Sequence, residues 1–368
     1  MTTPLLSLRN IIVERAGRVI LDVARLDLFP RDLLAVVGPN GAGKSTLIGV
    51  MGLLDRPTRG EVMFGRATVA GSLVAHRRRM AVVFQDALLL DTTTEANVAS
   101  GLALRGVPRD ERARRTNHWL EKFGISDLAR RSARTLSGGE GQRASLARAF
   151  AVEPEIMLLD EPFASLDAPT RATLIDDLAA VLAETGTTTV FVTHDRAEAL
   201  RLGDSIAVLM NGRIRQTGSP SHVFAHPADE EVAGFVGIET ITPGRVASVN
   251  DGLAIVAVGE RTVEAVTEQS KGSEVLVCLR PEDVTLSRVD DGNISGSARN
   301  RLAAVVRRVV PAGPYIRVEL DCGFELVALI TKPSLEDLEL APGSPVIASF
   351  KATAVHLIPH HARVPVTT

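Results

Sequence analysis

Gly38–Thr46 reads GPNGAGKST, and the spacing of Gly38, Gly43, Lys44 and Ser45 meets the G-x-x-x-x-G-K-[ST] pattern of a phosphate-binding loop. The apolar stretch Leu33–Val37 before it reads as a buried strand, and Leu47–Leu54 after it reads as the start of a helix. That context is what the motif needs. Glycines let backbone N–H groups turn inward around phosphate oxygens, and the helix N-terminus that follows adds positive potential. Lys44 is placed to reach the outer phosphates, and Ser45 to offer its hydroxyl to Mg²⁺. Pro39, Asn40, Gly41, Ala42 and Thr46 complete the cradle.

Working outward, Leu5–Arg15 and Arg18–Leu28 alternate apolar and polar residues, as antiparallel strands parted by a turn at Gly17. Glu61–Phe64 and Ala67–Val69 read as a second short hairpin, and Met80–Phe84 as an apolar strand ending at Gln85. An amide there can touch a metal or a water, or be an ordinary loop residue. Thr94–Arg134 turns helical, with Val98, Leu102, Trp119, Leu120 and Phe123 among the apolar positions, so a helical insert spans about 86–150.

Leu136–Glu140 reads LSGGE and opens another helix. Ser137, Gly138 and Gly139 at that N-terminus make a second anion-facing backbone, or simply an N-cap. Ile156–Asp160 reads as a buried strand that delivers Asp160 and Glu161 at its C-terminal end, where open parallel sheets carry their sites. Asp160 suits Mg²⁺ and Glu161 suits a water, although paired carboxylates at a strand end can also cap the next helix. Ser165–Asp167 begins a turn. Thr189–Val192 is one more apolar strand, and His194 follows at its end, within reach of a terminal phosphate or in a structural role.

The 368 residues suffice for two or three domains, and 45% hydrophobic with 23% charged residues is ordinary for a globular protein. No apolar run is long enough to span a membrane, and the amino terminus lacks the basic flank and apolar core of a secretory signal. Two cysteines, Cys278 and Cys322, are too few for a disulfide framework and read as buried reduced thiols. A net charge of −3 gives no general attraction to nucleic acid, and Arg77–Arg79 reads as a solvated face.

These motifs, in this order, make residues 1–235 resemble the nucleotide-binding subunit of ATP-binding cassette (ABC) transporters. GPNGAGKST looks like the Walker A loop, Gln85 the Q-loop, LSGGE the signature, Ile156–Glu161 the Walker B strand, Ser165–Asp167 the D-loop and His194 the switch histidine. The resemblance implies an α/β P-loop NTPase with an antiparallel β subdomain and a helical subdomain, working with ATP and Mg²⁺. It implies a head-to-tail homodimer in which Ser137, Gly138, Gly139 and Glu140 of one copy, with Asp167, cover the ATP of the other. Glu161 would then be the general base, Lys44 and His194 would hold the γ-phosphate, Ser45, Asp160 and Gln85 would serve the metal, and Gln85 would couple the site to a membrane partner. Two positions depart from the pattern. Where the family usually stacks an aromatic on adenine, this chain has Arg15 and Ala16, so guanidinium stacking by Arg15 is the substitute; and Glu140 stands where Gln is commoner.

Past Gly234 short β-rich runs replace the helices: Gly244–Val249, Ala254–Val258, Arg261–Val266 and Glu274–Leu279, then Asn300–Val309, Tyr315–Leu320, Glu325–Ile330 and Pro345–Ala352. Two small β units in tandem, 240–290 and 295–360, joined through Val289–Ser295, is the simplest organisation. Leu279–Asp283 resembles the OB-like TOBE barrel of importer ATPases. Ser297–Asn300, Asp321–Gly323, Ile330–Thr331, Leu340–Gly343 and Ser349–Thr353 look more narrowly like the molybdate/tungstate-binding Mop module. That resemblance implies an oxyanion held by Ser297, Arg299, Asn300, Lys351, Ala352 and Thr353; a dimerisation barrel whose strand edges happen to be polar is the alternative.

The expectation is therefore an importer ATPase for molybdate or tungstate, peripheral on the cytoplasmic side of the cell membrane, with a permease, an external binding protein and no nucleic acid as partners. An importer for sulfate, a sugar or another solute is the first alternative. A soluble ABC ATPase acting on DNA or ribosomes is the second, and the lack of a coiled-coil insert or basic extension speaks against it.

Overall fold

The protein is described by a computed structural model covering residues 3–70, 72–289 and 296–360. It divides into two compact units, Met1–Val223 and Phe224–Thr368.

In the first unit, strands β1 (Leu6–Arg15) and β2 (Arg18–Leu28) form a hairpin, and β4 (Arg59–Phe64) and β5 (Ala67–Thr68) extend it into an antiparallel sheet of order β2-β1-β4-β5. The larger sheet uses β3 (Leu33–Val37), β6 (Met80–Val83), β7 (Ile156–Asp160), β8 (Thr188–Thr193), β9 (Ser205–Met210) and β10 (Arg213–Gly218), in the order β10-β9-β3-β8-β7-β6. Strands β9, β3, β8, β7 and β6 run parallel. Every residue of β7 and β8 is buried, as strands covered on both faces require. Helix α1 (Lys44–Met51) brings Leu47, Ile48 and Met51 into one core with Leu6, Leu8 and Ile11 of the small sheet and Val36, Leu158 and Val190 of the large one. Each such side chain contributes roughly 1.5–3 kcal/mol on burial.

After the short α2 (Leu73–Arg77), the helical region holds α3 (Thr94–Leu104), α4 (Arg109–Lys122) and α5 (Gly138–Ala151). Its centre is aromatic: Trp119 stacks on Phe150 at 5.0 Å between centroids, and Phe123 lies 5.8 Å from Phe150. Helices α6 (Ala168–Thr185) and α7 (Arg196–Leu202) follow β7 and β8, and α8 (Pro220–Ala225) crosses the division between the units.

The division falls earlier in the chain than residue 235. The reason is visible at Arg280, which donates to the carbonyls of Phe224 (2.6 Å) and Val236 (3.1 Å) and so ties α9 (Glu230–Phe235) to the second unit.

Among its described residues, that second unit is β-rich, with α9, α10 (Lys332–Asp337) and short 3₁₀ turns at Pro281–Asp283 and Ala352–Ala354 as its helical parts after α8. One sheet has the order β13-β12-β11-β14-β20, from β11 (Thr240–Asn250), β12 (Leu253–Val258), β13 (Arg261–Val266), β14 (Glu274–Leu279) and β20 (His356–Pro359). The other has the order β15-β19-β16-β17-β18, from β15 (Thr285–Arg288), β16 (Asn300–Ala312), β17 (Tyr315–Asp321), β18 (Glu325–Thr331) and β19 (Pro345–Phe350). The halves are not laid end to end. β15 leaves the first half to pair with β19, and β20 returns from the last residues to pair with β14. A single core, with Val256, Val263 and Val277 beside Leu320, Leu326 and Phe350, explains the exchange, since neither sheet buries its inner face alone. Of the expected joint, residues 290–295 lie outside the described residues. Cys278 and Cys322 are buried and free, and burial pushes the Cys278 thiol up to about 12.

Candidate functional site

The parallel strands set the site by register. Val37 of β3 lies opposite Thr193 of β8, and Asp160 of β7 opposite Val192, so Gly38, Glu161 and His194 emerge side by side at one end of the sheet. Lys44 is 5% exposed; its ammonium donates to the carbonyls of Gly38 (3.0 Å) and Pro39 (3.1 Å) and lies 3.3 Å from Glu161 Oε1. Ser45 Oγ donates to Asp160 Oδ1 at 3.2 Å. His194 Nδ1 sits 2.9 Å from Glu161 Oε2. Lys44, Ser45, Asp160, Glu161 and His194 thus form one connected cluster.

Two backbone features hold it. A Cβ on Gly38 would sit 2.0 Å from the carbonyl oxygen of Leu209, so only glycine fits there. Glu161 adopts φ 45°, a left-handed conformation costly for a side-chain-bearing residue, and its N–H donates to Val192 O at 3.0 Å. The hydrogen-bonded turn thereby aims its carboxylate between Lys44 and His194.

Burial pushes the Asp160 carboxyl above the usual carboxylate range, opposed by the hydrogen bond from Ser45. A carboxylate paid for in this way gains from a hard cation, and the Ser45 hydroxyl beside it is a second hard oxygen. Among the described residues, no cluster of three or more His, Cys, Asp or Glu forms a ready-made metal cage. Ser45 and Asp160 therefore fit a Mg²⁺ that takes its remaining ligands from phosphate and water.

Gln85 lies past the end of β6 and is exposed; among the described residues, no hydrogen bond or ion pair joins it to this cluster. Arg15 pairs with Asp55 at 2.7 Å. Ser137 caps α5 in a full capping box: its hydroxyl accepts from Glu140 N (3.3 Å), and Glu140 returns to accept from Ser137 N (2.7 Å). The backbone and hydroxyl of Ser137 hold the Glu140 carboxyl below its usual range, which gives the glutamate at this position a physical role. Asp167 caps α6 through Thr170 N at 3.0 Å. Ser137–Glu140 and Ser165–Asp167 line one open cleft of ≈ 500 Å³. Among the described residues, no hydrogen bond or ion pair joins Ser137–Glu140 to Lys44 or Glu161.

In the second unit, Arg299 is bound to Glu264, and the buried Asn300 accepts from Glu264 N (2.7 Å) while donating to Glu264 O (2.9 Å). Ala352 is buried; Ser297, Lys351 and Thr353 are exposed. A cleft of ≈ 410 Å³ beside Lys351 and Ser349 also carries Glu282 and Asp283, whose negative charge works against an anion. The residues expected at an oxyanion therefore divide into the exposed Ser297, Lys351 and Thr353, an exposed Arg299 already paired with Glu264, and the buried Asn300 and Ala352.

Sequence reasoning missed Arg171, Thr193, Asp195 and Glu198, which lie behind His194. The signal was there: Asp195 and Glu198 have the N-cap and third-position spacing of a helix start.

The ABC transporter family pattern matches residues 21–164 and the TOBE domain pattern matches residues 296–357. The chain is 39% identical over 326 residues, 88% of this chain and 91% of the other, to the molybdate/tungstate import ATP-binding protein WtpC of Pyrococcus horikoshii. It is 37% identical to the Fe(3+) ions import ATP-binding protein FbpC of Streptomyces avermitilis, covering 78% and 82% of the two chains. It is 35% identical to the sulfate/thiosulfate import ATP-binding protein CysA of Thermosynechococcus vestitus, covering 86% and 88%. A solved dimeric ATP-binding cassette, in a post-hydrolysis state with ADP and Pi, is similar at TM-score 0.53 and 30% identity over 58% of this chain and 98% of that one. With the phosphate loop, the carboxylates and the histidine joined at one sheet end and an all-β TOBE region later in the chain, the chain belongs to the ABC transporter family, as an importer ATPase that couples ATP hydrolysis to transport.

Proposed function

We propose that this ATPase energises the import of molybdate or tungstate. The connected cluster at the sheet end carries the mechanistic part. Lys44 and His194 hold the γ-phosphate, Glu161 polarises the attacking water, and Ser45 and Asp160 hold Mg²⁺, with Gln85 joining them once nucleotide is bound. When bound there, Mg²⁺ would supply positive charge against the phosphates, held by Ser45 and Asp160. Ser137, Gly138 and Gly139 serve the ATP of a second copy, a reading supported by the open cleft they line and by the solved dimeric cassette the chain resembles. Permease subunits and an external binding protein complete the transporter on the cytoplasmic face of the membrane; nucleic acid has no part.

The solute rests on the relative named for molybdate/tungstate and on the Ser297–Asn300 and Ser349–Thr353 segments. In this reading Ser297, Lys351 and Thr353 meet the anion first, and Arg299 joins as it loosens from Glu264. Sulfate is the competing solute, favoured by the relative named for sulfate/thiosulfate. Calorimetry of the whole protein against molybdate, tungstate and sulfate separates them: tight binding of the first two supports the reading, and a sulfate preference reverses it. Glu161→Gln tests the catalytic part, with turnover expected to vanish while ATP still binds.

A further inference from the structure

His194 touches Glu161 on its front, and behind it stands a second polar network that the cluster does not use. Thr193, buried, donates its hydroxyl to Glu198 Oε2 at 2.5 Å and accepts the N–H of Asp195 at 2.9 Å. Asp195 Oδ1 in turn accepts from the N–H groups of Ala197 (2.7 Å) and Glu198 (3.3 Å), fixing the turn on which His194 rides. The Glu198 carboxylate is 5% exposed, so it needs a cation nearby.

Arg171, in the first turns of α6, supplies it. Its Nε lies 4.0 Å from Glu198 Oε1 and its Nη1 lies 3.6 Å from Asp195 Oδ2. Its Nη2 donates to the carbonyl of Leu166 at 3.0 Å. The Nε itself is buried and makes no hydrogen bond. One guanidinium therefore grips the Ser165–Asp167 segment firmly while reaching the two acids behind His194 at distances just beyond hydrogen bonding. Ser165, Leu166 and Asp167 line the open cleft, so anything seated there pushes on Leu166.

We propose that Arg171 and Glu198 are positioning residues that form a latch, setting His194 according to where the Ser165–Asp167 segment lies. A small inward shift of the segment closes Nε–H onto Glu198, stiffens the turn at Asp195 and presses His194 toward Glu161. Burial, which raises the Glu198 carboxyl, makes that closure favourable. The latch rests on the assignment of His194 and Glu161 above.

The test measures kcat and KM for ATP in the full-length protein carrying Arg171→Gln, Glu198→Gln or both, beside Glu161→Gln. Each single change is expected to lower kcat about tenfold with KM within about twofold, and the double variant to fall no further than the worse single. Glu198→Gln keeps a hydrogen-bonding partner for Thr193, and it carries the test alone if Arg171→Gln does not fold. Normal kcat in Glu198→Gln, or losses that multiply in the double variant, overturns the latch. If Glu161→Gln also turns over normally, the assignment beneath it fails instead.

Discussion

Lys44 and Arg299 are the cations on which the proposed phosphate and oxyanion sites rest, and the chain holds them differently. Lys44 rests on two neutral carbonyls of its own loop, pairs with Glu161 at 3.3 Å and lies close enough to Asp160 for its charge to act there. Arg299 is committed to Glu264, and its neighbour Asn300 spends its amide on the backbone of the same residue. A phosphate shares Lys44 with the Glu161 carboxylate at 3.3 Å, beyond close hydrogen bonding, whereas an oxyanion at Arg299 competes with Glu264 in direct hydrogen-bond contact. If both proposed sites hold, the Lys44 cation gives way to its anion more readily than Arg299 does.

The difference can be broken most sharply at Glu161. Glu161→Gln is expected to lower kcat about a thousandfold while leaving ATP affinity within about threefold, measured by turnover and nucleotide titration. Comparable losses in affinity would mean that Glu161 holds Lys44 in place rather than serving the chemistry. Gly38→Ala comes next: with its Cβ driven against Leu209 O, the variant should lose about 3 kcal/mol in urea unfolding together with its nucleotide binding.

In the second unit, Asn300→Ala should cost about 2 kcal/mol in chemical unfolding, because it leaves the N–H and carbonyl of Glu264 without their partner. Glu264→Gln sharpens the comparison directly. Releasing Arg299 is expected to strengthen molybdate binding about fivefold by calorimetry, and unchanged affinity would remove Arg299 from the site. The smallest effect belongs to Arg15→Ala: its pair with Asp55 is half exposed, and the preference for ATP over GTP should move by less than about twofold.

How legible each region was follows the same contrast. The loop Gly38–Ser45, the acids Asp160 and Glu161 and the histidine His194 could be read from local spacing because each sits at the end of a strand whose apolar run is plain in the sequence. The left-handed turn at Glu161 left no local mark, since a glutamate at that φ is imposed by the strands on either side. Arg15 reads as a base-stacking substitute, and its partner Asp55, forty residues on, is not visible in its own neighbourhood. Likewise Glu264 gives no hint in its own neighbourhood that it will engage both Arg299 and Asn300. The strand alternation between 240 and 358 announced β structure correctly, yet the exchange of β15 and β20 depends on which inner faces need covering, which periodicity alone does not encode.

That exchange has a bearing on synthesis. β20 comes from residues 356–359 and covers one edge of β14, some eighty positions upstream, so that edge stays bare until residue 359 has left the ribosome, although β11 already covers the other. A deletion that removes residues 356–359 would leave that edge open permanently, turning it into a seam for wrong partners. Soluble yield should thus fall steeply with very short C-terminal deletions that reach His356.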